Sequence, residues 1–182
     1  MSVSITKQAL TLAFFNLLIT KPYKKITVSD VTSEAGVNRM TFYYHFKDID
    51  DLVLKKIEEI FISICKTSVL SGDYSSAYLN VYLAVLRHRE LAKKVYPEFD
   101  MHRLTSFLFS LAFKLASYSV KQKAGNKISE NMKDTIIHSV ACCMVGSFIE
   151  WLNSDMQKDP YEIVKGQVAF FNAAIDSVIK KK

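Results

Sequence analysis

Glycine, proline and cysteine are all scarce in this chain, at five, three and three among 182 residues. So few glycines and prolines leave little of the turn chemistry that an all-β sandwich needs, and favour helices joined by few sharp breaks. The three cysteines, Cys65, Cys142 and Cys143, cannot all pair, and the adjacent two lack the spacing of a metal knuckle. Buried thiols in a reducing cytoplasm are the expectation. No stretch approaches the roughly 20 apolar residues that span a bilayer, and Met1–Leu10 lacks the basic start and apolar run of a secretory leader. There is no glycine-rich phosphate loop, no legible nucleophile–base–orienter set and no internal repeat. These absences point to a soluble, cytoplasmic, all-α protein that is not an enzyme, holds no metal or cofactor and has no membrane partner.

What is present is ordinary in amount and uneven in placement. Hydrophobic residues make up 49% and charged residues 23%, enough for a real core. The net charge of +6 suits an anionic polymer. It does not say where such a polymer would bind: residues 1–50 hold six Lys/Arg against four Asp/Glu, a net of +2, and the remainder carries +4.

Apolar spacing predicts a first helix from Ser4 to about Thr20 with Ile5, Ala9, Leu12, Ala13 and Leu17 as its stripe. Leu10, Phe14, Phe15 and Leu18 widen that stripe, and Pro22 ends the helix by disfavouring helical geometry at Lys21. Thr27 caps a second helix, with Asp30 as the reciprocal partner of a capping box and Val28, Val31 and Ala35 on the inner face. Gly36 follows its last turn, and Asn38 caps a third helix. There Phe42 and Phe46 point inward, while Met40, Tyr43, Tyr44 and Lys47 share the opposite face.

Two short helices around a glycine turn, the second showing polar and aromatic groups to solvent, form the outline of a helix-turn-helix that reads double-stranded DNA. Arg39, in the first turn, is the candidate base contact, since a guanidinium reads guanine O6 and N7 together. Tyr43, Tyr44, His45 and Lys47 suit backbone phosphates, which position a helix without reading sequence. Asn38 and Met40 have a second explanation each, as a cap and as a thymine-methyl contact. Thr27 can bind phosphate or merely cap, and Thr41 completes the set.

The segment ITVSDVTSEAGVNRMTFYYHFKDIDDL resembles the N-terminal signature of TetR-type (tetracycline-repressor-like) bacterial transcription regulators, over roughly Ile5–Leu54. The lead-in KPYKKITV is similar to a subgroup that includes dihydroxyacetone-kinase-operon regulators. Ile49 departs from the pattern, standing where the family usually has a second Lys near the start of the fourth helix. One lost phosphate contact would reduce the salt slope by about one counterion, and Lys24, Lys25 and Lys47 can compensate. The resemblance implies a reader at 1–50 and a helical effector-binding and dimerisation domain at 51–182. It also implies a homodimer on a near-palindromic operator, usually as a repressor, released by an unknown small-molecule effector. A different class stays open: a co-activator or small-molecule/protein-binding module with diminished DNA contact.

Beyond Asp50, helices are expected to about Leu70, from Ser75 to His88, over a short segment Arg89–Tyr96, from Phe99 to Val120, from Glu130 to Asn153 and from Pro160 to about Ile179. Ser71-Gly72-Asp73 is the first clear break, and KQKAGNK (121–127) reads as a solvated loop. Tyr78, Tyr82, His102, Phe107, Phe113 and Tyr118 are candidates for an effector pocket, though aromatic residues at helical spacing are more often core. Ile136, Val140, Met144, Ser147 and Trp151, with Val164, Val168, Phe171 and Ile175, are candidates for the dimer surface, against the alternative of intramolecular core. His138 and Cys142 form an i, i+4 pair better explained by core packing than by metal.

Overall fold

The computed structural model describes residues 2–71 and 73–180, without side chains at 2–4 and 67–71, so Gly72 of the expected break lies outside the described residues. Among the described residues there are α-helices and short 3-10 turns and no strand. They cluster into two compact units, Met1–Ile60 with Glu90–Asp100, and Phe61–Arg89 with Met101–Lys182.

In the first unit α1 (Ser2–Thr20) is followed by a 3-10 turn at Tyr23–Lys25, α2 (Val28–Glu34), α3 (Arg39–His45) and the start of α4 (Ile49–Ser71). The buried stripe of α1 is Leu10, Ala13, Phe14 and Leu18. This corrects the expected stripe: Ile5 and Leu12 are 67% and 64% exposed. Both stripes have helical spacing, and only the arrival of α2 and Tyr23 decides between them. Val31, Phe42, Phe46 and Leu52 close the same core, each 2% exposed or less.

Residues from far along the chain complete this unit. Helix α6 (Arg89–Val95) and the 3-10 turn Tyr96–Glu98 belong to it. Lys94 Nζ donates to the carbonyls of Leu18 and Ile19 at 3.2 and 3.1 Å, satisfying acceptors that the end of α1 leaves open. The ring of Phe99 lies 6.0 Å from that of Tyr23.

The second unit contains the end of α4, α5 (Tyr74–Arg87), α7 (Met101–Ala124), α8 (Glu130–Asn153) and α9 (Pro160–Lys180). Helix α7 runs through Lys121–Ala124, so the expected loop at 121–127 is helical in its first half and breaks only at Gly125, whose φ of +51° is left-handed. Helix α8 packs chiefly on α7. By length and composition α8 qualifies to cross a bilayer, contrary to expectation, but half of its most apolar window is buried inside the fold, as in a core helix.

An aromatic cluster centres this unit. Tyr82 and Trp151 are 0% and 1% exposed, with ring centroids 4.9 Å apart and Phe148 against both. Trp151 Nε1 donates to the Lys158 carbonyl at 2.9 Å, fastening the α8–α9 connection, where Asp155 and Met156 adopt positive φ.

Candidate nucleic-acid interface

The turn between α2 and α3 is built by local hydrogen bonds. The Val37 amide donates to the Thr32 carbonyl at 3.0 Å and the Gly36 amide to the Ser33 carbonyl at 3.2 Å, the paired bonds of a Schellman ending. Gly36 sits at φ +66°, where a Cβ would be strained.

Both helix starts carry the expected caps. The Asp30 amide donates to Thr27 Oγ1 at 3.2 Å, and the Thr27 amide donates to Asp30 Oδ2 at 2.8 Å. Lys21 Nζ donates to the same carboxylate at 2.6 Å. The Lys21 ammonium and then the Thr27 hydroxyl and amide hold the Asp30 carboxyl down at about 2, from its ordinary 3.8. A carboxylate depressed on folding stabilises the fold fully above its ordinary pKa, and that share is lost as pH falls toward the folded value. Urea midpoints are therefore expected to drop between about pH 4 and pH 2, and Asp30→Asn should flatten that part of the profile. An unchanged profile in the variant would remove Asp30 from the account.

Asn38 caps α3, accepting the Thr41 amide at 2.8 Å and the Thr41 hydroxyl at 2.9 Å. Thr41 is half-buried and its hydroxyl is engaged in the cap. Behind the helix Phe42 and Phe46 pair at 5.5 Å. In front, Arg39, Met40, Tyr43 and Tyr44 are exposed, Met40 and Tyr44 by more than three quarters at 78% and 76%. Thr27 and Asn38 are exposed with them.

Two members of the set sit differently. Helix α3 ends at His45 and Phe46 is extended at φ −138°, so Lys47 is not on the helical face predicted for it. It lies exposed in the following turn, its amide donating to Asp51 Oδ2 at 2.9 Å. His45 is half-buried beside Tyr44 and Phe46, and desolvation, followed by the charges of Lys7 and Lys55, lowers its pKa. It offers a neutral ring more readily than a cation.

Lys55, which the sequence pattern did not single out, positions the reader from α4. Its Nζ donates to the His45 carbonyl at 2.8 Å, pairs with Asp51 at 3.1 Å and lies 5.5 Å from the Phe46 ring. Only its i, i+4 spacing from Asp51 hinted at this. Ile49 opens α4 half-buried, directly after Asp48, whose Oδ1 accepts the Asp51 amide at 2.7 Å.

The candidate effector residues differ in exposure, and two of them meet directly. Tyr78 and Tyr82 are buried, with hydroxyls 3.3 Å apart, and burial raises the pKa of both. Tyr78 donates to Gln167 Oε1, and Gln167 Nε2 donates to Ser147 Oγ. Phe107 is half-buried, whereas His102, Phe113 and Tyr118 are exposed, Tyr118 stacking on Tyr74. Of the candidate dimer residues, Val140, Met144, Trp151, Val164 and Ile175 are buried within their own chain, and Ile136, Ser147, Val168 and Phe171 are half-buried. Cys142, Cys143 and His138 are exposed, contrary to the expectation of buried thiols and a packed histidine, and Cys65 is half-buried. Among the described residues no three His, Cys, Asp or Glu side chains converge as a metal-binding group.

This geometry agrees with what similar proteins are. No curated protein matches the chain. A solved structure, "Dihydroxyacetone kinase operon activator DhaS", shares the fold with a TM-score of 0.73, covering 96% of this chain and 98% of that one at 18% identity. Residues 10–55, which hold the capped helix pair, match the family described as "Bacterial regulatory proteins, tetR family". Residues 72–172, more than half of the chain, match "Transcriptional regulator C-terminal region" of the same family. The chain therefore belongs to the TetR family of DNA-binding transcriptional regulators.

Proposed function

We propose that this protein is a homodimeric cytoplasmic repressor that holds a near-palindromic operator and releases it when a small molecule binds the second unit. The observation that carries the reading is the exposed face of α3. Arg39 is free of the core in the first turn, one residue after a formed cap, and Met40, Tyr43 and Tyr44 stand beside it. Two such helices in successive major grooves demand half-sites about one helical turn or more apart. Arg39 reads a base, Tyr43, Tyr44 and Lys47 hold phosphates, and Thr27 adds its hydroxyl from the start of α2.

In this reading the dimer forms through α8 and α9, on the side pointing away from the residues already buried. Release by an effector requires that it bind one reader spacing better than the other. The Tyr78–Gln167–Ser147 chain is a route by which a ligand among α5 and α7 aromatics reaches α8 and α9.

A second reading, activation instead of repression, is favoured by one observation: a structural neighbour is an operon activator by its name. Gel shifts with DNA flanking the gene, followed by a reporter in cells with and without the protein, test both. Binding with lowered expression supports repression, and binding with raised expression supports activation. No shift of any neighbouring promoter at low salt would leave neither standing.

A further inference from the structure

Cys142 and Cys143 are exposed on α8, although thiols are among the side chains most often buried. As successive residues of a helix their side chains diverge by about 100°, so the two cannot pair with each other there. The surface around them has one consistent chemistry. No Asp, Glu, Lys or Arg occurs from Thr135 to Ile149 on α8 or from Gly166 to Ile175 on α9. Phe170 projects from this face, 66% exposed. Its ring is one wall of an open groove that runs past Cys143, Gly146 and Gly166 and is also lined by Glu150. A Cβ added at Gly146 or Gly166 would meet nothing within 4 Å. An exposed ring beside small residues, on stretches of α8 and α9 without charge, leaves room for the same stretches of a second copy, as an isologous contact needs. Glu150 is paired with Lys158 at 3.2 Å, which limits like-charge repulsion between two copies.

We propose that the Cys142–Cys143 pair is a thiol-oxidation site at which two copies of this chain, seated face to face on α8 and α9, become joined by an intermolecular disulfide. This rests on the homodimer proposed above. Two helices approach most closely where side chains are smallest, and on the exposed side of α8 those are Ser139, Cys142, Cys143 and Gly146. A disulfide spans Cα separations of about 4.4–6.8 Å, which only such a small-residue crossing allows. The oxidant is a low-molecular-weight disulfide. On a free chain, where both thiols are exposed, a thiolate attacks it, releasing one small thiolate and leaving a mixed disulfide. A thiolate of the second copy then attacks the protein sulfur of that mixed disulfide and expels the second small thiolate. The cysteines lose two protons and two electrons, and the small disulfide becomes two thiols. Cys65 is half-buried, and burial raises its pKa, so it stays outside this exchange.

The test uses the full chain with oxidised glutathione, non-reducing electrophoresis and sedimentation of the reduced protein. The reduced protein should sediment as a dimer. Oxidation should give a band at twice the chain mass that collapses with dithiothreitol, unchanged in Cys65→Ser. The double variant Cys142→Ser/Cys143→Ser should still sediment as a dimer yet give no covalent band. A reduced dimer that never cross-links, or a band that survives in the double variant, overturns the disulfide and leaves the homodimer intact. A monomer at every concentration overturns both.

Discussion

Replacing Arg39 by Ala is expected to weaken binding to the operator by about ten- to a hundredfold, while binding to unrelated DNA changes little. The guanidinium sits in the first turn of α3, exposed, just past the Asn38 cap. A bidentate contact to guanine is worth about 1–3 kcal/mol of discrimination, and that range sets the expected loss. Lys47→Ala should behave differently: it should weaken all sequences alike and lower the salt slope by about one. Competition gel shifts at several salt concentrations, with operator and scrambled duplexes, separate the two. If Arg39→Ala lost operator and scrambled DNA equally, Arg39 would be a phosphate anchor, and base reading would have to pass to Asn38 or Met40. Tertiary structure makes this clean, because Arg39 carries no core contact whose loss would unfold the reader.

Trp151→Ala should be the most destabilising single change in the second unit, at about 3–5 kcal/mol. The indole is 1% exposed and lies against Tyr82 and Phe148. Its Nε1–H also secures the Lys158 carbonyl at 2.9 Å. Truncation therefore leaves a cavity and an acceptor without its donor. Trp151→Phe keeps most of the packing and loses the hydrogen bond, so it should cost about 1 kcal/mol from that bond plus a smaller packing term. Urea titrations at two protein concentrations far apart should give the same shift for Trp151→Ala, because these contacts lie within one chain. A shift that grew on dilution would instead return Trp151 to a subunit interface.

The reader was legible because its determinants are local. Thr27 with Asp30, Asn38 with Thr41, and Gly36 after α2 act across three or four residues of chain. Such contacts leave their residue types at fixed spacing whatever the rest of the fold does. The i, i+4 placement of Phe42 and Phe46 told which side faces inward for the same reason. Where the helix stopped was less legible: Lys47 fits the helical period, yet Phe46 turns extended so that Asp51 can take the Lys47 amide.

The long helices were legible as helices and much less as faces. Ser129 as a cap and Pro160 at the first helical position mark the starts of α8 and α9 in the sequence. Their apolar residues go more than one way round, so spacing alone left the core and the outer face exchangeable. Tyr82 from α5 and the α7 side chains chose Met144, Trp151, Val164 and Ile175 for the inside. That choice left Cys142, Cys143 and Phe170 outside.

By itself, then, the sequence determined that the chain is all-helical, that it carries a capped helix-turn-helix and that Arg39, Met40, Tyr43 and Tyr44 face solvent. Tertiary structure alone decided which stripe of α1 is core, that Lys94 and Phe99 complete the first unit, and which side of α8 and α9 remains open. The physical reason is range: a cap is a bond between near neighbours, whereas the inward face of a helix apolar on several sides is set by whatever packs against it from far along the chain.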